Sequence, residues 1–158
     1  MTDKHFDKEL FHTDRKEYPV TRQISGYTHQ LLYPFAARYG EDVRIILPGF
    51  IFDGFSVPRI LWWLQPPMTG AGTPAALVHD AGYGDKNKTK SFEDTLFHNM
   101  LLKYGVSYFK ADILFTGVFI GGHWAWYKGK GDNENVFNLK VWDTGRIEEL
   151  LNTDPVVI

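Results

Sequence analysis

The sequence predicts an α+β fold, and three observations predict it. Residues 18–57 hold two runs rich in β-branched and aromatic residues, YPVTRQISGYTHQLLY and EDVRIILPGFIF, with glycine and proline between them. Residues 73–127 lose that character and carry helix-start signals and helical periodicity instead. Strands first and helices afterwards is the order of an α+β chain rather than of an alternating one. The 158 residues suffice for one domain with a real core, and residues 1–158 read as that single domain. A hydrophobic share of 44% and an aromatic share of 16% argue against disorder.

Each element follows in order. Residues 1–17 read as a polar arm or short helix; they are charged and lack the apolar core of an export signal. Residues 18–57 are the strand region. SVPRILWWLQPPMTGAGTP is a connection, punctuated by Pro58, Pro66 and Pro67, with Trp62 and Trp63 expected to pack in the core. Thr73 followed by Pro74 starts a helix that runs to about Tyr83 and stops near Gly84. Ser91, with Asp94 three residues on, opens a second helix ending near Gly105. A third covers 107–127, and residues 73–127 form a three-helix half. KGKGDNEN is a loop, and 128–158 a tail with one short helix at TGRIEELLN.

The apolar run 111–128 offers 15 residues between Asp112 and Lys128, with His123 and three glycines among them. A membrane span wants about 20, so this segment reads as a buried core helix. Gly117 and Gly121 make a small-residue spacing suited to close helix packing. The formal net charge of −2 gives no sign of a nucleic-acid binder. The absence of cysteine removes disulfides, thiolate zinc sites and a cysteine nucleophile, and fits a reducing compartment. The sequence carries no phosphate-binding glycine loop, no H-E-x-x-H and no G-x-S-x-G.

The chemistry-bearing stretch is LVHDAGYGD, residues 77–85. On a helical wheel Leu77, Val78 and Ala81 share one side; His79, Asp80 and Tyr83 share the other with Ala75 and Ala76. In the second helix Phe92, Leu96, Phe97, Met100, Leu101 and Tyr104 form an apolar arc with Asp94 at its edge. Packed antiparallel, the two helices would bring Asp94 to His79. A carboxylate holding one ring nitrogen leaves the other free to act as a base. The bland reading of each residue stays open: a structural His–Asp pair, a helix-capping Asp94, a packed Tyr83, and histidines 98 and 123 satisfied locally. A transition metal held by His79, Asp80, Asp94 and His98 is a further alternative.

Asp53, Gly54, Ser56 and Arg59, in FDGFSVPR, admit two readings. Asp53 would add a carboxylate to a metal while Ser56 and Arg59 bind an anionic substrate group. Alternatively Asp53-Gly54 forms a tight turn that Ser56 ties before Pro58.

LPGFIFDGFSVPRILWWL, then AALVHDAGY, then EDTLF resembles an uncharacterised family of small tailed-phage proteins with D-G-x-S-x-P-R and H-D-x-x-Y segments. The likeness spans residues 43–105 and implies a phage or prophage source. A weaker resemblance is to phospholipase A2, closest to the form in parvovirus capsid proteins. Leu47-Pro48-Gly49-Phe50 leads to Phe52 and Gly54; Ala75-Ala76-Leu77 precedes His79-Asp80 and Tyr83; Asp94 and Phe97 follow in the same order. That resemblance implies His79 as the base that activates water, Asp94 as its orienting acid and Tyr83 as the support of Asp94. It implies calcium at Asp80, with backbone carbonyls around Phe52 and Gly54. The spacing from His79 to Asp94 is shorter than in the viral enzymes, Asp53 replaces an apolar residue, and SVPR has no counterpart there.

Two classes of function follow. One is a calcium-dependent esterase acting on phospholipid. The other is a non-enzymatic phage structural or host-interaction protein with a buried His–Asp–Tyr network. Either places the chain in the host cytoplasm or the phage particle, as neither an integral membrane protein nor a nucleic-acid binder.

Overall fold

In the computed structural model the described residues are 18–53, 58–61, 63, 70, 72–129, 131 and 133–157. The strand region forms β1 (Thr21–Ser25), β2 (Thr28–Leu31), β3 (Phe35–Tyr39), β4 (Asp42–Ile46) and β5 (Ile51–Phe52). A 3₁₀ turn at Arg59–Leu61 follows. The helices are α1 (Gly72–Asp85), α2 (Lys90–Lys103), α3 (Tyr108–Gly121) and α4 (His123–Lys128); then come β6 (Val136–Lys140) and α5 (Thr144–Leu151). The fold is α+β, with antiparallel strands ahead of helices.

The strands make two three-stranded antiparallel sheets, ordered β1-β2-β5 and β3-β4-β6. Tyr39 pairs with Asp42 across a two-residue hairpin whose Gly40 has φ of +63°, a left-handed value that favours glycine. β4 is the middle strand of its sheet, and four of its five residues are buried. Alternation assigns its side chains to two faces. Val43 and Ile45 pack with Ile147 and Leu150 of α5. Ile46 joins the main core, and Arg44, on the same face, reaches α1 and α2.

Several features depart from the sequence-based expectation. The tail at 128–158 carries a strand as well as a helix. β6 pairs with β4 from Asp42–Lys140 to Ile46–Val136. A five-residue run has too little local signal, and its hydrogen bonds come from a partner far away in sequence. The helix near Ser91 starts one residue earlier, capped by Thr89, whose hydroxyl accepts from the Phe92 N–H at 3.2 Å. The single helix expected over 107–127 divides at Gly122 into α3 and α4.

Burial also differs. α1 has no open polar side: Gly72 through Tyr83 are buried apart from Asp80. On the side shared by His79, Asp80 and Tyr83, His79 and Tyr83 are covered and Asp80 is half-buried, as befits a helix running through the core. α3 is not a core helix all round; only Ala111, Leu114 and Val118 are buried, one stripe at helical spacing. Gly117 and Gly121 serve close packing, but against Leu61 and Pro58 rather than another helix. Trp63 is exposed, not in the core; Trp62 lies outside the described residues. No described helix is long and apolar enough to cross a membrane.

Candidate functional site: a buried His–Asp–Tyr–Lys cluster

A four-residue connection, 86–89, sets α1 and α2 side by side. His79 and Tyr83, one turn apart on α1, both reach Asp94 on α2. His79 Nε2 lies 2.9 Å from Asp94 Oδ1, and the Tyr83 hydroxyl donates to the same oxygen at 2.5 Å. Lys90, one turn before Asp94, donates to Oδ2 at 2.6 Å and to the carbonyls of Val118 and Phe119 at 3.2 and 3.1 Å. One lysine thus joins Asp94 to the end of α3.

The electrostatics follow from these bonds. Burial alone would raise the Asp94 carboxyl, but hydrogen bonds from His79, Lys90 and Tyr83 outweigh it and hold the group below the ordinary carboxylate range. Burial, then the bond to Asp94, pushes Tyr83 far above its usual value, so Tyr83 is a permanent hydroxyl donor. An ionised carboxylate only accepts, so its bond to His79 assigns the ring hydrogen to Nε2. Nδ1 is then left with its lone pair when the ring is neutral. Among the described residues Nδ1 is a buried side-chain atom with no hydrogen-bond partner. The ring is 1% exposed and lies against Tyr83 and Phe97, with centroids 4.1 and 4.9 Å away.

Asp80 is half-buried, and its Oδ2 accepts from the Asp53 backbone N–H at 3.2 Å. The structure therefore brings the start of the FDGFSVPR loop to the residue after His79. Phe52 is a buried residue of β5. Gly54 and Ser56 lie outside the described residues. Arg59 stands in the 3₁₀ turn with its guanidinium 5.8 Å from the centre of the Tyr27 ring. His98 bonds Asp112 of α3 at 2.8 Å, and Asp94 is taken by three donors. No group of three His, Cys, Asp or Glu that could hold a metal occurs among the described residues.

Sequence reasoning missed the second half of the network. Glu93, beside Asp94 on α2 but turned about 100° around the helix, makes a two-pronged ion pair with Arg44. Arg44 Nη1 meets Oε2 at 2.8 Å and Nη2 meets Oε1 at 2.6 Å. Nη1 also donates to Val78 O at 3.0 Å, and Nε to Asn138 Oδ1 at 3.2 Å. Asn138 in turn donates to Asp85 at 2.6 Å. Both members of the pair are fully buried. Burial opposes the charge of Arg44, and the bonds to Glu93 more than offset it, raising Arg44 above its usual value. The available signals were an arginine inside an apolar strand and the glycine of HDAGY.

That glycine is Gly82. A Cβ there would overlap the Glu93 carboxylate and lie 2.7 Å from Arg44 Nη1. Gly82→Ala should therefore destabilise the fold by about 1–3 kcal/mol through overpacking. The sign is diagnostic, because alanine in an ordinary helix interior gains about 1 kcal/mol over glycine. A thermal melt followed by circular dichroism reads it; a variant as stable as the parent would contradict the close approach.

Residues 29–118 match the model of the family described as Protein of unknown function (DUF1353). The chain belongs to this family. The matched DUF1353 region holds β2 through most of α3, and so every member of the His79 cluster and the Arg44–Glu93 pair. No curated protein matches the chain, and no solved structure does.

Proposed function

We propose that this DUF1353 protein is an ester hydrolase of the phospholipase A2 type, in which His79 activates water through Nδ1. The single observation that supports this is the division of labour on the ring: Nε2 tied to a charged, buried carboxylate and Nδ1 without a partner. A buried polar atom left unpaired costs on the order of 1–3 kcal/mol, and a reacting water is an occupant that would remove that cost. In the proposed step Nδ1 takes a proton as the water oxygen attacks the ester carbonyl carbon. Collapse of the tetrahedral oxyanion breaks the bond to the alcohol oxygen, which receives the proton from Nδ1. Asp94 steadies the imidazolium between these transfers, and Tyr83 and Lys90 hold Asp94. With the ring 1% exposed, ester and water reach Nδ1 only when a neighbouring side chain moves aside, so turnover requires an opening motion.

Calcium belongs to the same proposal. Asp80 supplies the hard oxygen donor calcium prefers, and the backbone at Asp53 is already beside it. Asp80 would share the ion with carbonyls around Phe52 and Gly54. The described side chains supply fewer than the six to eight oxygens required, so carbonyls and solvent would complete the set. When bound, the ion supplies charge stabilisation for the oxyanion. Ser56 and Arg59 are proposed to hold the anionic part of the substrate, and a phage or prophage source accompanies the reading. The test is release of fatty acid from phosphatidylglycerol, with calcium or with chelator, alongside the melting temperature. Expected are calcium-dependent release and a rise in melting temperature that Asp80→Asn removes. No release in either condition, with a melting temperature indifferent to calcium, would overturn it.

The sealing of the His79 ring favours a second reading: a non-enzymatic phage structural or host-interaction protein, with the cluster a polar brace between α1 and α2. It predicts that substitutions at His79 and Asp94 lower stability in a chain that has no turnover to lose.

A further inference from the structure

The stretch GGHWAWYKG, residues 121–129, sets α4 between glycines. A helix needs about 12–15 residues to hold by itself in water, so six-residue α4 stays only where its neighbours keep it. None of its residues is buried, and Trp124 and Tyr127 are 78% and 76% exposed. Its anchor is the half-buried Trp126, whose ring meets the Tyr83 ring edge-on with centroids 5.2 Å apart. The Lys86 ammonium lies 5.4 Å from the centre of the Trp126 ring. Lys86 has φ of +56°, a left-handed value that favours glycine, so this contact is kept at a conformational cost.

Glycines also fit α4 against Tyr83. A Cβ at Gly122 would overlap the Tyr83 hydroxyl and the Val118 carbonyl oxygen, and one at Gly129 would overlap the Tyr83 carbonyl oxygen. Glycine pairs are where helices kink, and Gly121-Gly122 is the joint between α3 and α4. The near side of that joint is fixed. α3 buries Ala111, Leu114 and Val118, and Lys90 binds the Val118 and Phe119 carbonyls. The far side depends on Trp126.

The sealing of His79 has the same weak point. Of the two rings against the imidazole, Phe97 belongs to the main core, whereas Tyr83 is covered by α4. With α4 in place Tyr83 is 3% exposed. The wall that can give way is therefore the one under α4.

We propose that α4 is a strap over the His79 cluster, hinged at Gly121-Gly122 and at Gly129, whose release lets solvent and small electrophiles reach Nδ1. As a route for substrate this rests on the hydrolase reading; as a motion it does not.

The experiment is modification of the full chain by diethyl pyrocarbonate, which acylates an unprotonated imidazole nitrogen. Peptide mass spectrometry reads the rate at each histidine, in urea up to the foot of the unfolding transition. In the parent His79 should react far more slowly than the exposed His123, at a rate indifferent to urea, because a local opening exposes little surface. Trp126→Ala should raise the His79 rate at least about tenfold and leave His98 unchanged. Gly122→Ala should act in the same direction. Hydrogen exchange in the parent gives a measurement that no variant's folding can spoil. The Trp126 amide, bonded to the Gly122 carbonyl, should exchange well before the β4 amides and with the same indifference to urea. A His79 rate that climbs with urea in step with global unfolding overturns the proposal. So does a rate unmoved by Trp126→Ala, or a Trp126 amide as protected as those of β4. Release of the strap as described in a chain that frees no fatty acid sinks the hydrolase reading alone. Fatty-acid release by the parent, with a His79 rate unmoved by Trp126→Ala, sinks the strap alone.

Discussion

Glu93→Ala is expected to destabilise the fold by about 3–5 kcal/mol, because it strands the Arg44 guanidinium in the interior. For a chain of this length that is a fall in melting temperature of about 6–20 °C. The cost is set by the surroundings of Arg44, fully buried on the inner face of β4. Its other contacts, Val78 O, Asn138 Oδ1 and the Tyr39 ring with its centre 5.5 Å away, carry no formal charge and cannot replace a two-pronged carboxylate. Replacing both charges tells the other half of the story. Arg44→Met with Glu93→Leu removes the stranded charge and should recover most of the loss, since a buried pair often breaks even against apolar residues of similar volume. A Glu93→Ala fall of under about 2 °C would show that Arg44 finds water or another anion.

Asp94→Asn has the broader consequence. An asparagine keeps the shape but loses the charge, and its amide nitrogen cannot accept from Lys90, His79 or Tyr83. Stability at neutral pH should fall by about 1–3 kcal/mol, and any ester turnover by about 10²–10⁴-fold, the range general-base catalysis contributes. Acid titration separates this from a generic packing defect. The folded carboxyl is held below the unfolded value of about 3.9, so its contribution is complete above that pH and is lost as pH falls through the lowered folded value. The parent should lose stability on the acid side below about pH 4, and the variant should show a shallower loss there. Parallel acid limbs in calorimetry would contradict the assignment.

The fold class could be read from the sequence because its signals are local. Glycine and proline punctuate the strand region, and capping residues stand ahead of the helices. β6 could not, since its hydrogen bonds come from β4. The same division runs through the cluster. His79 and Tyr83 declare their proximity by spacing on one helix, and Asp94 follows from a short connection to the next. Arg44 meets Glu93 across 49 positions, and Lys90, though one turn from Asp94 on the same helix, reaches the α3 carbonyls across 28 and 29; those links are tertiary geometry. The wheel of α1 is incomplete for a related reason. It separates apolar from polar positions but does not show that neighbours cover both sides, and here the polar side is buried against α2.

The central claim is that the imidazole of His79 is a working base rather than a strut, and turnover in His79→Gln measures it most directly. A glutamine can still donate to Asp94, so the brace between α1 and α2 survives while the free ring nitrogen is gone. The account predicts fatty-acid release from phosphatidylglycerol by the parent in calcium, and a loss of about 10²–10⁴-fold in a variant that melts cooperatively near the parent temperature. Release at the parent rate by the folded variant would contradict it.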